Sequence, residues 1–221
     1  MAQYYFIPSW FYGFDSTLEL LFGIITLIVA IFSYKIYNIS KERKIRNFSL
    51  GFFLISFSYI IWAVLNISLI QKVAKGVSFT ALLDINNLWK LGLAFQMLFL
   101  IAGLAMLVYS VLDVKKGGIY YLLLGLSLTA IVASVERIIT FRIVSLFLLS
   151  FIAYHYLWEY IENKNKTTLK VMFAFILLFI SNLDMAFAPR YSGAFVAGHI
   201  IELIAYALIL TTMAKTLKKK K

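Results

Sequence analysis

Seven apolar runs govern what this chain can become. Each is near the roughly 20 residues an α-helix needs to cross the hydrocarbon of a bilayer. They cover 16–37, 48–70, 89–112, 119–135, 140–161, 169–187 and 195–216. The fourth is the shortest, and Glu136 and Arg137 interrupt its end. Strands of a membrane barrel are about half this length and alternate in polarity, which these runs do not. Of the 221 residues, 62% are hydrophobic and only 14% charged, a balance no soluble domain of this size needs. The runs predict an all-α, polytopic integral membrane protein: a single seven-helix transmembrane bundle over 16–217, followed by a basic tail, 218–221.

The charge pattern orients the bundle. The formal net charge is +11, but its cations lie between apolar runs and at the C-terminus, not on one basic face. That is the pattern of membrane flanks, and it argues against nucleic-acid binding. Fifteen of the 21 basic residues fall on one side: Lys35, Lys41, Arg43, Lys44, Arg46, Lys115, Lys116, Lys164, Lys166, Lys170, Lys215 and Lys218 to Lys221. The other six are Lys72, Lys75, Lys90, Arg137, Arg142 and Arg190. The positive-inside rule places the richer side in the cytoplasm, so the N-terminus is expected outside and the C-terminus inside a cell membrane. An odd number of spans requires the same. The absence of cysteine removes disulfides, thiolate nucleophiles, cysteine metal sites and S-acylation. No basic residue precedes the first run and no small-residue cleavage site follows it, so the chain is expected to insert intact, without a soluble domain.

Residues 1–15 are aromatic (Tyr4, Tyr5, Phe6, Trp10, Phe11, Tyr12, Phe14) and are expected to lie along the membrane surface. Asp15, Ser16 and Thr17 offer an N-cap for the first span. The stretch 71–88 is the one long outer connection. Phe79, Leu82, Leu83 and Leu88, mixed with Asp84, Asn86 and Asn87, suggest a short interfacial helix there, either a flap over a pocket or a plain connection resting on headgroups. An internal repeat is also visible. Gln96 to Lys116 aligns without gaps on His199 to Lys219, with Leu100-Ile101-Ala102 on Leu203-Ile204-Ala205, and Leu18-Glu19-Leu20 is like Ile201-Glu202-Leu203. Two parallel three-helix repeats joined by the fourth helix would account for it.

The polar residues inside the runs are the candidate site. An ionisable group within a membrane helix is costly and marks a buried partner or a function. His199 and Glu202 are three residues apart on one helix face, with Tyr206 one turn on. At 1.5 Å per residue, Glu19, Asn66, Gln96, Asn182 and Asp184 fall in the same outer part of their spans. These eight residues are expected to ring one outward-facing polar pocket for a small ligand or ion. The spacing also allows a divalent metal on His199, Glu202, Asp184 and Glu19. The plain alternative pairs Glu202 with His199 or Lys90 and leaves Glu19 at the interface. A second cluster (His155, Trp158, Glu159, Glu162) lies near the opposite face and reads as interfacial anchoring.

Several chemistries are excluded. A retinal Schiff base needs a lysine in the middle of the last span, where Tyr206 to Leu210 stand instead. His155 and His199 sit toward opposite faces, so no bis-histidine haem is expected. Sugar carriers built from three-helix repeats carry a Pro-Gln pair in each repeat, whereas Pro8 and Pro189 lie outside the runs. No hydrolase motif is present.

Pro8-Ser9-Trp10-Phe11-Tyr12-Gly13 leading to Glu19, and Gly198-His199-x-x-Glu202-x-x-x-Tyr206, resemble uncharacterised seven-helix membrane proteins of archaea. The last helix also resembles the seven-helix sensor regions that precede histidine kinases, where a Gly/Ala-His pair opens the final helix and a Tyr follows. The resemblance implies a ligand-sensing or interaction module. Since the chain stops at Lys221, its signal would pass to a membrane protein partner. Gly103, Ala102, Ala105 and Gly125 would permit close helix contacts or an oligomer. A small-solute or ion transporter is the second class; below Tyr206, however, its face offers mainly Leu210 and Met213. A metal-dependent membrane enzyme is the third, and would need Glu19, Asp184 and His199 at one point.

Overall fold

The computed structural model describes residue 11 and residues 13–74, 79–114, 117–187 and 192–220, with the side chains of 69–74, 79–86, 192 and 220 left aside. The expected surface segment 1–15, apart from Phe11 and residues 13–15, lies outside the described residues. So do Pro8, Lys75, Lys115, Lys116, Pro189, Arg190 and Lys221, and the side chains of Lys72, Phe79, Leu82, Leu83, Asp84 and Asn86.

Within them the chain folds into seven α-helices: α1 (Phe14–Ser40), α2 (Arg43–Ala74), α3 (Phe79–Leu112), α4 (Gly118–Ala133), α5 (Arg137–Asn163), α6 (Lys166–Phe187) and α7 (Ser192–Lys220). Six of them are long and apolar enough to cross a membrane, and α4 is an apolar helix too short to meet that measure. The chain has the build of a multi-pass membrane protein.

Most helices extend past the apolar runs by a few residues, and three of the differences bear on the site. α1 starts at Phe14, capped by Gly13 in the left-handed region (φ 89°), where a residue with a Cβ would be strained. Asp15 therefore caps indirectly, its Oδ1 accepting the Gly13 N–H at 3.1 Å. The stretch 71–88 is not a long connection with a separate interfacial helix. α2 continues to Ala74 and α3 begins at Phe79. No Pro or Gly stands between Phe79 and Leu91, so nothing breaks the helix before the span. Finally, α5 begins at Arg137 rather than residue 140, because Ser134 turns the chain. Its Oγ accepts the Glu136 N–H (3.1 Å) and the Thr140 hydroxyl (2.6 Å).

The neighbours close a ring. α1 packs on α2, α2 on α3, α3 on α5, α5 on α6, α6 on α7, and α7 back on α1. α4 lies outside this ring against α3 and α5, burying only Ser127 and Ile131 among its described side chains.

Packing inside the ring explains why small residues recur. A Cβ on Gly103 of α3 would lie 2.8 Å from the Gly51 carbonyl oxygen of α2, so the two backbones touch. Gly103, Ala102 and Ala105 are thus used within the molecule, whereas Gly125 faces open space. Serines fasten neighbouring helices. Ser56 Oγ donates to the Gly23 carbonyl (2.7 Å), Ser49 Oγ to Ala30 (2.8 Å), Ser58 Oγ to Gln96 (2.9 Å) and Ser110 Oγ to Lys44 (2.7 Å). In an apolar surround such bonds hold helices together where burial alone does not discriminate.

Candidate functional site

A cavity of about 110 Å³ opens within the ring, toward the end where α1, α3, α5 and α7 begin. α1 contributes Asp15, Ser16 and Glu19. α2 contributes Tyr59, Trp62 and Asn66. α3 brings Trp89 and Gln96 among apolar neighbours. α5 adds Phe141 and Arg142, α6 adds Met185, and α7 adds Phe195, His199 and Glu202. Every helix of the ring reaches the cavity, and α4 does not.

A smaller cavity, about 30 Å³, lies one to two turns further along the helices. Tyr59, Leu100, Arg142 and Glu202 line both. Below them the second cavity meets Ser181, Asn182 and Tyr206, then a wall of Phe and Leu. The partition is hydrogen-bonded. The Tyr59 hydroxyl donates to Glu202 Oε1 in a short contact and lies 3.0 Å from the Tyr206 hydroxyl. With the Tyr59 proton committed to the carboxylate, Tyr206 donates to Tyr59.

Glu19 is only 8% exposed, and its Oε2 accepts from Asn66 Nδ2 at 3.1 Å. His199 is set apart from both carboxylates. Its Nδ1 lies 2.9 Å from the Phe195 carbonyl one turn earlier, to which it donates, and its ring sits among Phe11, Phe22 and Phe195 at centroid distances of 4.5–6.0 Å. Phe11, from the N-terminal aromatic segment, is buried there and not spread on a surface.

Of the eight residues singled out from the sequence, Glu19, Asn66, Gln96, His199 and Glu202 line the larger cavity, and Asn182 and Tyr206 the smaller. Asp184 lines neither, and is half-buried on another face of α6. Glu202 bonds to Tyr59, not to His199 or Lys90, and Lys90 is exposed. Among the described residues no group of three or more His, Asp and Glu could hold a metal ion.

Sequence reasoning missed Tyr59, Trp62 and Arg142. A signal existed for Arg142, which stands two residues inside the fifth apolar run, yet it was grouped with the loop cations. The second cluster is held at the other end of the bundle. Glu159 lies 3.5 Å from Lys44 Nζ and 3.8 Å from His155 Nε2, and Trp158 Nε1 donates to Glu162 at 2.7 Å. These groups are about one-third exposed or more, as anchoring at a water boundary requires.

Compared with protein-family models, with curated proteins and with solved structures, the chain finds no match in any of the three.

Proposed function

We propose that this chain is a seven-span protein of the cell membrane with its N-terminus outside, acting as a receptor- or sensor-like module. It binds a small ligand in the larger cavity and passes the event to a membrane protein partner. One observation carries the reading: all six ring helices direct side chains into one polar cavity, closed on its inner side by Tyr59, Glu202 and Tyr206. Polar groups are expensive in a membrane bundle, and their convergence on a hollow is better explained by a ligand than by packing. The partition links the ligand to the fold, because anything that touches Glu202 acts on a bond between α2 and α7.

The test is thermal unfolding of the purified protein in detergent with divalent metals, amines, amino acids and lipids, comparing wild type with Glu202→Gln. A compound that binds only the folded state stabilises it by about 2.7 kcal/mol at a hundredfold excess over its dissociation constant. A midpoint shift in wild type that weakens in the variant supports the reading. A flat response to every compound, with the variant as stable as wild type, sinks it.

A second reading is a small-solute transporter, favoured by the inner cavity, which continues the polar path past Glu202 to Asn182. Uptake of the stabilising compound into proteoliposomes would decide for transport; binding without uptake would decide for the receptor.

A further inference from the structure

Around the larger cavity, opposite charges face one another without being joined. Glu19 on α1 is more than nine-tenths buried and has no cation within 4.0 Å among the described residues. Asp15 lines the same wall and is held by its own backbone turn. Arg142 on α5 lines both cavities and likewise forms no ion pair within 4.0 Å there. Glu202, the carboxylate that shares both cavities with it, is hydrogen-bonded by Tyr59 instead. In the ring α1 and α5 stand three places apart, on opposite sides, so the hollow separates the acid from the guanidinium.

Buried charges persist when they are paired or hydrogen-bonded. Among the described residues Glu19 has the donors Asn66 and Trp62 but no cation, and the half-buried Arg142 has the Phe141 ring at 5.6 Å but no carboxylate, so a counter-charge for each has its place in the hollow. A plain cation would satisfy Glu19 but meet Arg142. A plain anion would satisfy Arg142 but leave Glu19 and Asp15 without a cation. A molecule with a cationic nitrogen at one end and a carboxylate at the other satisfies both. The walls agree with this polarity. Trp62 on α2, next to α1 in the ring, brings an aromatic side chain to Glu19, and such rings attract ammonium groups. Arg142 offers the planar fork that suits a carboxylate. The volume, about 110 Å³, has room for roughly seven to eleven water-sized groups, the size of an amino acid. At the foot of Arg142, Asn182 lines the smaller cavity with its Oδ1 unpartnered, another buried polar atom facing the hollow space.

We propose that the cavity takes a small amino-carboxylate zwitterion, an amino acid or a betaine, with its ammonium toward Glu19 and Trp62 and its carboxylate on Arg142. The proposal rests on the reading of the cavity as a ligand site.

Four probes separate the charges: glycine betaine and L-valine carry both, choline keeps only the cation, and 3,3-dimethylbutyrate keeps only the carboxylate. Binding is read by the unfolding midpoint and by titration calorimetry of the full chain in detergent. At least one zwitterion should bind about tenfold or more tighter than either singly charged probe. Arg142→Gln should bring that zwitterion down to the level of choline, with choline itself bound as well or better once the guanidinium is gone, and Arg142→Lys should retain part of the difference. Glu19→Gln should remove the preference from the other end. The ligand-free midpoint of each variant is taken first; if Arg142→Gln does not fold, Arg142→Lys and Glu19→Gln carry the comparison. Choline binding as tightly as betaine, with no response to Arg142, would make this a cation site and overturn the proposal. Dimethylbutyrate binding as tightly would overturn it in favour of an anion site. A chain stabilised by a metal, a simple amine or a lipid of the wider panel but by no amino acid or betaine keeps its ligand cavity and loses the zwitterion.

Discussion

Tyr59 joins the two cavities through one hydroxyl. Replacing it with Phe deletes the donor to Glu202 and the acceptor from Tyr206 while keeping the ring. A buried polar group left without its partner costs about 1–3 kcal/mol, so Tyr59→Phe should lose about that much stability, read as a lower unfolding midpoint. Trp158→Phe, which removes a hydrogen bond to Glu162 on the exposed end of α5, should cost under about 1 kcal/mol. Equal losses would mean that the partition does not hold the bundle. The same residues mark what the sequence could disclose. Glu19, Asn66, Gln96, His199 and Glu202 were legible because a polar side chain inside an apolar run is conspicuous and its depth follows from counting. Tyr59 and Trp62 were not, because aromatic residues are common in every run and a phenol's partner lies on another helix. Asp184 was misplaced for a geometric reason. It is two residues from Asn182, a rotation of roughly 200° on the helix, so the face that carries Asn182 and Met185 toward the cavities carries Asp184 away from them.

Among the elements, the existence of seven helices was legible from length and apolarity, but their partners were not. Two glycines that look alike in sequence have opposite surroundings. A side chain at Gly103 would meet the α2 backbone at Gly51, whereas one at Gly125 would meet nothing within 4 Å. Gly103→Val should therefore destabilise by about 1–3 kcal/mol through overpacking, and Gly125→Val should be near neutral in the same unfolding measurement. A loss at Gly125 would instead reveal a contact with another molecule on that face. α4 poses a different question. Its 16 residues extend about 24 Å at 1.5 Å per residue, short of the roughly 30 Å hydrocarbon, and it leans on the ring from outside. Leu126 is 65% exposed on it. If α4 lies in the hydrocarbon, Leu126→Arg should weaken its membrane insertion by about 3–4 kcal/mol in a glycosylation-reporter assay. An unchanged insertion level would place α4 at the interface.

The whole molecule has a direction that packing alone cannot assign, since a ring of helices is equally stable with either end outward. The loop charges would assign it: with Arg142 set aside as a cavity residue, 15 basic residues stand against five, and the positive-inside rule expects the richer side in the cytoplasm. It decides which side of the membrane the cavity faces, because the cavity lies at the end where α1 begins. The chain has no cysteine, so single reporters can be introduced without background. Glu136, at the corner before α5, and Lys218, near the end of α7, are both exposed and three helices apart, at opposite ends of the bundle. A membrane-impermeant maleimide applied to intact cells should label Glu136→Cys, and should label Lys218→Cys only after the membrane is opened. The reverse pattern would invert the bundle and turn the cavity toward the cytoplasm, where its ligand would be sought among internal metabolites. Labelling of both from one side would contradict three crossings between them, and with it the ring on which the cavity is built.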